Sequence, residues 1–183
     1  MNRLKSLVAS AVLIALVIGV FLGGVLSGNR NADSKFSSDD LMFAQMMIPH
    51  HEQAVVMSEL ALTKSANPEI LALATSIRDA QAPEIELMQS WLKGSDSSAH
   101  GDHDMPMSGM LDDQQLATLK SAKGGEFDRL FLEGMIGHHE GAIEMVEIID
   151  RSKNSEVKEL AANIVNSQSA EVTTMKEILT RLP

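Results

Sequence analysis

The chain of 183 residues contains no cysteine. That excludes a disulfide framework, a thiolate zinc site, a thiol nucleophile and a blue-copper centre. It also has no tyrosine, and its aromatic residues are five Phe and one Trp, so platforms for stacking bases are missing. Basic residues are scarce, 15 Lys and Arg against 25 Asp and Glu, which argues against a grip on nucleic acid phosphates. No run alternates apolar and polar residues as a half-buried strand would. Against this background stand twelve Met and six His. Methionine is not normally among the common residues.

One long apolar run exists. Arg3 and Lys5 precede an uncharged stretch from Leu7 to Leu26, long enough to cross a bilayer as a helix. A cleaved secretory signal has a shorter apolar core and a small-x-small cleavage site, which Val25-Leu26-Ser27 matches poorly. Residues 1–28 are therefore expected to be an uncleaved membrane anchor, with a cleaved signal as the alternative that would leave the rest secreted or periplasmic. Basic residues ahead of the span hold the N-terminus in the cytoplasm and place the remainder outside. That remainder keeps all 25 acids and loses two of the 15 bases, for a formal charge of −12. Residues 29–37 read as a polar tether.

Beyond the tether the chain repeats itself. At a shift of 88, Asp40, Phe43, Met47, Ile48, His50, His51, Glu52, Ala54, Met57 and Glu59 meet Asp128, Phe131, Met135, Ile136, His138, His139, Glu140, Ala142, Met145 and Glu147. After a one-residue deletion the shift is 87. Asn67, Glu69, Leu73, Ala74, Ile77, Gln81, Glu84, Met88 and Leu92 then meet Asn154, Glu156, Leu160, Ala161, Ile164, Gln168, Glu171, Met175 and Leu179.

Each copy reads as two helices. Ser37-x-x-Asp40 is a capping-box start, and Asn67-Pro68-Glu69 and Asn154-Ser155-Glu156 open the second helices. Apolar residues follow helical spacing through 70, 73, 77, 85, 88 and 92, and through 157, 160, 164, 172, 175 and 179. The expected fold is all-α: a four-helix bundle of two tandem hairpins, with helices of about 25 residues and about 37 Å. The hairpins are 38–92 and 113–183, the second led by a short helix starting near Asp112 and ending near Gly124. Residues 93–112, rich in Gly, Ser and Asp, form a linker. Residues 38–183 are one domain.

All six histidines fall in three places. On the first helix, Phe43, Met47, His50, His51, Ala54, Met57 and Ala61 share an arc of about 120°. The third helix copies this with Phe131, Met135, His138, His139, Ala142 and Met145. Four imidazoles and four thioethers, Met47, Met57, Met135 and Met145, are thus expected to meet inside the bundle. An inward His is ordinarily a hydrogen-bonded core residue, and a Met stripe is ordinarily core packing. The doubled His-His with Met on the same face favours metal instead, since four buried imidazoles are costly without partners. Gln81, Glu84 and Met88, with their counterparts Gln168, Glu171 and Met175, lie near the apolar line of the other helices. They are either outer partners that orient a His, direct ligands, or boundary residues. Met42 and Met46 have no counterpart and read as core packing.

The linker adds His100, His103, Met105, Met107 and Met110 as further candidate ligands. Thioethers suit Cu(I), and imidazole suits copper in either oxidation state. A kink or bulge at Pro49, Pro83 and Gly137 would aim the adjacent ligands inward. A zincin is excluded, because Val55 and Ile143 stand where the second His is required. A carboxylate di-iron site is excluded for want of Glu three residues before a paired His. No phosphate loop, dinucleotide fingerprint or serine elbow is present, so neither an organic cofactor nor a catalytic residue is expected.

Met47-Ile48-Pro49-His50-His51-Glu52-Gln53-Ala54 and the stretch from Gly125 to Ala142, with Met135-Ile136-Gly137-His138-His139-Glu140, resemble the family known as domain of unknown function 305. The resemblance spans about 38–182. It implies a ferritin-like four-helix bundle, often duplicated, exported in bacteria, with copper-associated members. It places copper ligands among Met47, His50, His51, Met57, Met135, His138, His139 and Met145. The expected function is binding of copper, as Cu(I), for buffering, sequestration or handover to a protein partner, with silver able to compete. A ferritin-like redox metalloenzyme and a metal-free structural or partner-binding bundle are the alternatives.

Overall fold

Ser37 is the N-cap of the first helix. Its hydroxyl accepts from the Asp40 amide and the Asp40 carboxylate accepts from the Ser37 amide, satisfying donors that a bare helix end would leave open. Helix α1 then runs Ser38–Lys64 and α2 Pro68–Lys93. A short α3, Asp113–Ser121, starts from a second capping box between Asp112 and Gln115. Helix α4 spans Gly124–Met145 and passes into a 3-10 turn at Val146–Ile149. Helix α5, Ser155–Arg181, is capped by Asn154, whose side chain accepts from the Glu156 amide. This computed structural model describes residues 35–93 and 107–183. The expected span from Leu7 to Leu26, the tether up to Ser34, and His100, His103 and Met105 lie outside them. Among the described residues no helix is long and apolar enough to cross a membrane, and no strand occurs.

The four long helices pack as two hairpins, α1 on α2 and α4 on α5, joined mainly through α1 against α4. Their lengths of 27, 26, 22 and 27 residues differ little from expectation, except that α4 gives up its last turn to the 3-10 segment. Of the kink or bulge expected at Pro49, Pro83 and Gly137, no bulge forms. Helix α1 is continuous α-helix through Pro49, α2 through Pro83 and α4 through Gly137. A single proline removes one backbone hydrogen bond, and packing of the rest of the helix outweighs that loss. The short helix α3 ends at Ser121, three residues earlier than Gly124, which has φ +58° and opens α4.

The hydrophobic interior is divided. One cluster contains Ala54, Met57, Ile70, Ile77, Phe127, Phe131, Met135 and Met175. The other contains Phe43, Met47, Met88, Trp91, Met145, Leu160 and Ile164. On every long helix a polar interval separates the two sets: His50-His51 on α1, Gln81 and Glu84 on α2, His138-His139 on α4, Gln168 and Glu171 on α5. A polar layer therefore crosses the bundle at mid-height. At one end of the molecule Phe36 stacks on Trp91, whose indole N–H donates to Glu156, and Lys35 bridges to the same carboxylate.

Candidate metal centre

All four paired histidines are fully buried. They point inward because α1 and α4 each place a His-His pair across the midline of the apolar face. At the centre the His50 and His138 rings lie 3.8 Å apart between centroids, tilted by 41°. His50 Nε2–H donates to the Ser108 carbonyl at 3.0 Å, and His138 Nε2–H donates to the His50 carbonyl at 2.8 Å. On the flanks His51 Nε2 meets Glu84 Oε2 and His139 Nε2 meets Glu171 Oε2, both at 2.8 Å. Glu84 and Glu171 thus each meet a buried histidine while their own side chains remain partly exposed.

The acceptors decide the tautomers. A carbonyl oxygen and a carboxylate oxygen accept, so every Nε2 carries a hydrogen, and in a neutral ring the lone pair is then on Nδ1. All four Nδ1 atoms are buried and without a hydrogen-bond partner among the described residues. Burial pushes His50 down to about 4, the Ser108 carbonyl opposing and neighbouring His51 and His139 reinforcing. His138 is held well below its ordinary value, again chiefly by burial, with His50, His139 and His51 adding to it and the His50 carbonyl opposing. These two rings are neutral near pH 7, as metal ligands must be.

The thioethers sort with equal regularity. Met57, Met135 and Met175 lie in the cluster on one side of the polar layer, and Met47, Met88 and Met145 in the cluster on the other. Each side holds one member of every repeat-matched pair. All six are buried. Met135 lies one helical turn before His139, and Met175 one turn after its partner Glu171. Met47, His51, Glu84 and Met88 repeat the pattern. Gln81 and Gln168 also face inward, 2 % exposed; neither amide atom of Gln81 has a partner, nor does the Gln168 oxygen. Among the described residues no three His, Asp or Glu converge as a ready metal cage; the other soft donors near the histidines are the buried thioethers. The donor set suits a soft monovalent ion. Met42 is 44 % exposed and does not belong to the core, contrary to expectation. Its position on α1 faces away from the His-bearing arc. Met46 is half-buried against the second cluster.

Sequence reasoning did not find the strap formed by Met107–Leu111. It lies across α1 and α4 and delivers the Ser108 carbonyl to His50. Gln53 holds it by two hydrogen bonds, donating to the Leu111 carbonyl at 2.9 Å and accepting from the Leu111 amide at 2.8 Å. Ser108 Oγ donates to Glu144 at 2.7 Å. Gly109 has φ +78°, and a Cβ there would lie 2.2 Å from the Gly137 carbonyl oxygen; a Cβ on Gly141 would lie 2.1 Å from the Ser108 oxygen. Backbone rests directly on backbone. The available signal was position 53/141, where Gln faces Gly inside an otherwise matched His-His-Glu-x-Ala segment.

Comparison with known proteins agrees with this architecture. A family model described as a domain of unknown function, DUF305, matches residues 40–179. A DUF305 protein from Streptomyces coelicolor, described as a candidate secreted protein, superposes with a TM-score of 0.71 at 31% identity, covering 78% of this chain and 91% of that one. CopM, solved in Cu(II)-bound and Cu(I)-bound forms, superposes with TM-scores of 0.66 and 0.64 at 34% identity, covering 77% of this chain and 95% of that one; it has also been solved with silver. An uncharacterised protein, L153, of Acanthamoeba polyphaga mimivirus is 43% identical over 53 residues, which are 28% of this chain and 35% of that protein. With a family model matched over nearly the whole described bundle, the chain belongs to the DUF305 family.

Proposed function

We propose that the protein binds a soft monovalent metal ion, copper as Cu(I), in the interior of its ferritin-like bundle, for buffering, sequestration or handover. The observation that carries this reading is the set of four buried Nδ1 atoms left unpartnered, with three buried thioethers in the core cluster on either side of the polar layer. Such groups cost stability unless something satisfies them, and a neutral imidazole beside thioethers is what Cu(I) or Ag(I) prefers. The ligands are His50, His51, His138 and His139 through Nδ1, with Met47, Met57, Met88, Met135, Met145 and Met175. Glu84 and Glu171 orient their histidines. The linker residues His100, His103, Met105, Met107 and Met110 are further ligands. The copper- and silver-bound states of CopM support the choice of ion. The protein works outside the cytoplasm, held to the membrane by residues 1–28, and performs no turnover.

The test is direct. Full chain purified from copper-supplemented cells retains copper, and Ag(I) added to metal-free chain raises its melting temperature, as any ligand confined to the folded state must. Absence of both effects removes the reading.

A further inference from the structure

The repeat makes His50 and His138 equivalent, yet the structure holds them differently. His138 donates to the backbone of α1, through the His50 carbonyl. That acceptor cannot move away unless α1 unwinds. His50 donates to Ser108, which belongs to the strap and not to any helix. The strap is attached by a few polar contacts: two to Gln53, one from Ser108 Oγ to Glu144, and the His50 bond itself.

Position 53/141 accounts for the seat. In the first copy it is Gln53, the side chain that clamps Leu111. In the second it is Gly141, whose bare Cα lets the Ser108 carbonyl pass at a distance no side chain would allow. One repeated position has taken two complementary tasks for the same segment. The strap also packs on the core: Leu111 lies against the cluster that holds Met57, and a Cβ at Gly134 would touch both Leu111 Cδ1 and Met57 Cε, at 3.2 and 3.3 Å. Met107 and Met110, both half-buried, bracket the Ser108-Gly109 contact. Met110 and Leu111 line a groove of about 610 Å³ between the strap, α3 and α4.

We infer that the Met107–Leu111 strap is the gate through which the soft ion enters and leaves the core, with Gln53 and Gly141 as positioning residues that set its closed state through Ser108 and His50. This rests on the binding reading above. Lifting the strap releases the His50 Nε2–H, takes Leu111 off the cluster that holds Met57 and swings two thioethers past the opening. The ion then moves by ligand exchange: a neutral strap sulfur binds as a neutral core nitrogen or sulfur departs, with no change in its charge or oxidation state. The His138 side, closed by helix backbone, offers no such route.

The experiment is stopped-flow transfer of Cu(I) from loaded full chain to excess bathocuproine disulfonate. Gly141→Ala wedges the strap off its seat, and Gln53→Ala removes its two-point clamp. Both are expected to accelerate transfer by about tenfold or more without lowering the copper held at equilibrium. The His50 ¹⁵N signals of the metal-free variants lose the pure Nε2–H pattern, while those of His138 keep it; a merely structural role would not separate the two rings. If Gly141→Ala fails to fold, Gln53→Ala decides. Folded variants that release copper at the wild-type rate overturn the gate and leave the binding reading intact. A wild-type chain that takes up no Cu(I) overturns the binding reading itself, and the gate with it.

Discussion

His50 and His138 touch ring to ring at the centre of the bundle while each donates its one N–H to a backbone carbonyl. Neither can take a second proton without placing a charge in a buried site. Their ionisation is therefore lower in the folded state than the ordinary value of 6.5, about 4 for His50. Between these values the unfolded chain binds more protons, so stability rises with pH. The metal-free protein is expected to be fully stable above about pH 6.5 and to lose stability as pH falls toward 4, by on the order of 3 kcal/mol from His50 alone. Urea unfolding at pH 7, 6 and 5 checks this; a flat midpoint contradicts it. On the flanks, Glu84→Gln and Glu171→Gln retain an oxygen that can accept from the imidazole but remove the charge behind it. Loss of such an outer partner lowers metal affinity by about 10- to 100-fold, measurable by Ag(I) competition, while the fold persists. Met135→Leu conserves volume, so its cost to stability stays below about 1.5 kcal/mol, and any larger loss on silver binding reports the thioether.

Helix α2 illustrates what an element tolerates. Pro83 is exposed yet lies inside unbroken α-helix. Replacing it by Ala restores a backbone donor toward the Asp79 carbonyl without removing buried surface. Pro83→Ala is expected to stabilise the protein by about 1–3 kcal/mol, seen as a higher urea midpoint. Ser37→Ala should cost about 1 kcal/mol by opening the capping box at the start of α1. Caps of this kind were legible in the sequence, because Ser37, Asn67 and Asn154 act within three residues of themselves. The inward arc carrying His50 and His51 was legible too, because helical spacing depends only on neighbours along the chain. Pro49 and Pro83 suggest a kink or bulge, and no bulge forms: the local cost is visible in the sequence, and the packing that overrides it is not. The strap escaped for the same reason. Gly109 is ordinary in a Gly- and Ser-rich stretch until Gly137 and Gly141 come up against it from another helix.

The whole molecule is organised by its mid-height polar layer, with an apolar cluster and a set of three methionines on either side. The pairing of residues 88 positions apart made the duplication visible, but only assembly shows that each cluster mixes the two copies: Met57 stands with Met135 and Met175, not with Met47. The duplication has the geometry of an isologous interface, in which one surface meets a second copy of itself across a twofold axis. Here the repeat-equivalent rings of His50 and His138 are themselves in contact, as equivalent residues beside such an axis are. Two identical hairpins forming such a dimer would have to treat both rings alike, and any segment laid over one would be laid over the other. Joining the hairpins in a single chain breaks that obligation. There is one connecting segment, it comes down on one side, and the sequence on each side has diverged to suit, glutamine facing glycine. Covalent linkage therefore supplies a directionality that no symmetric assembly of the same parts could possess.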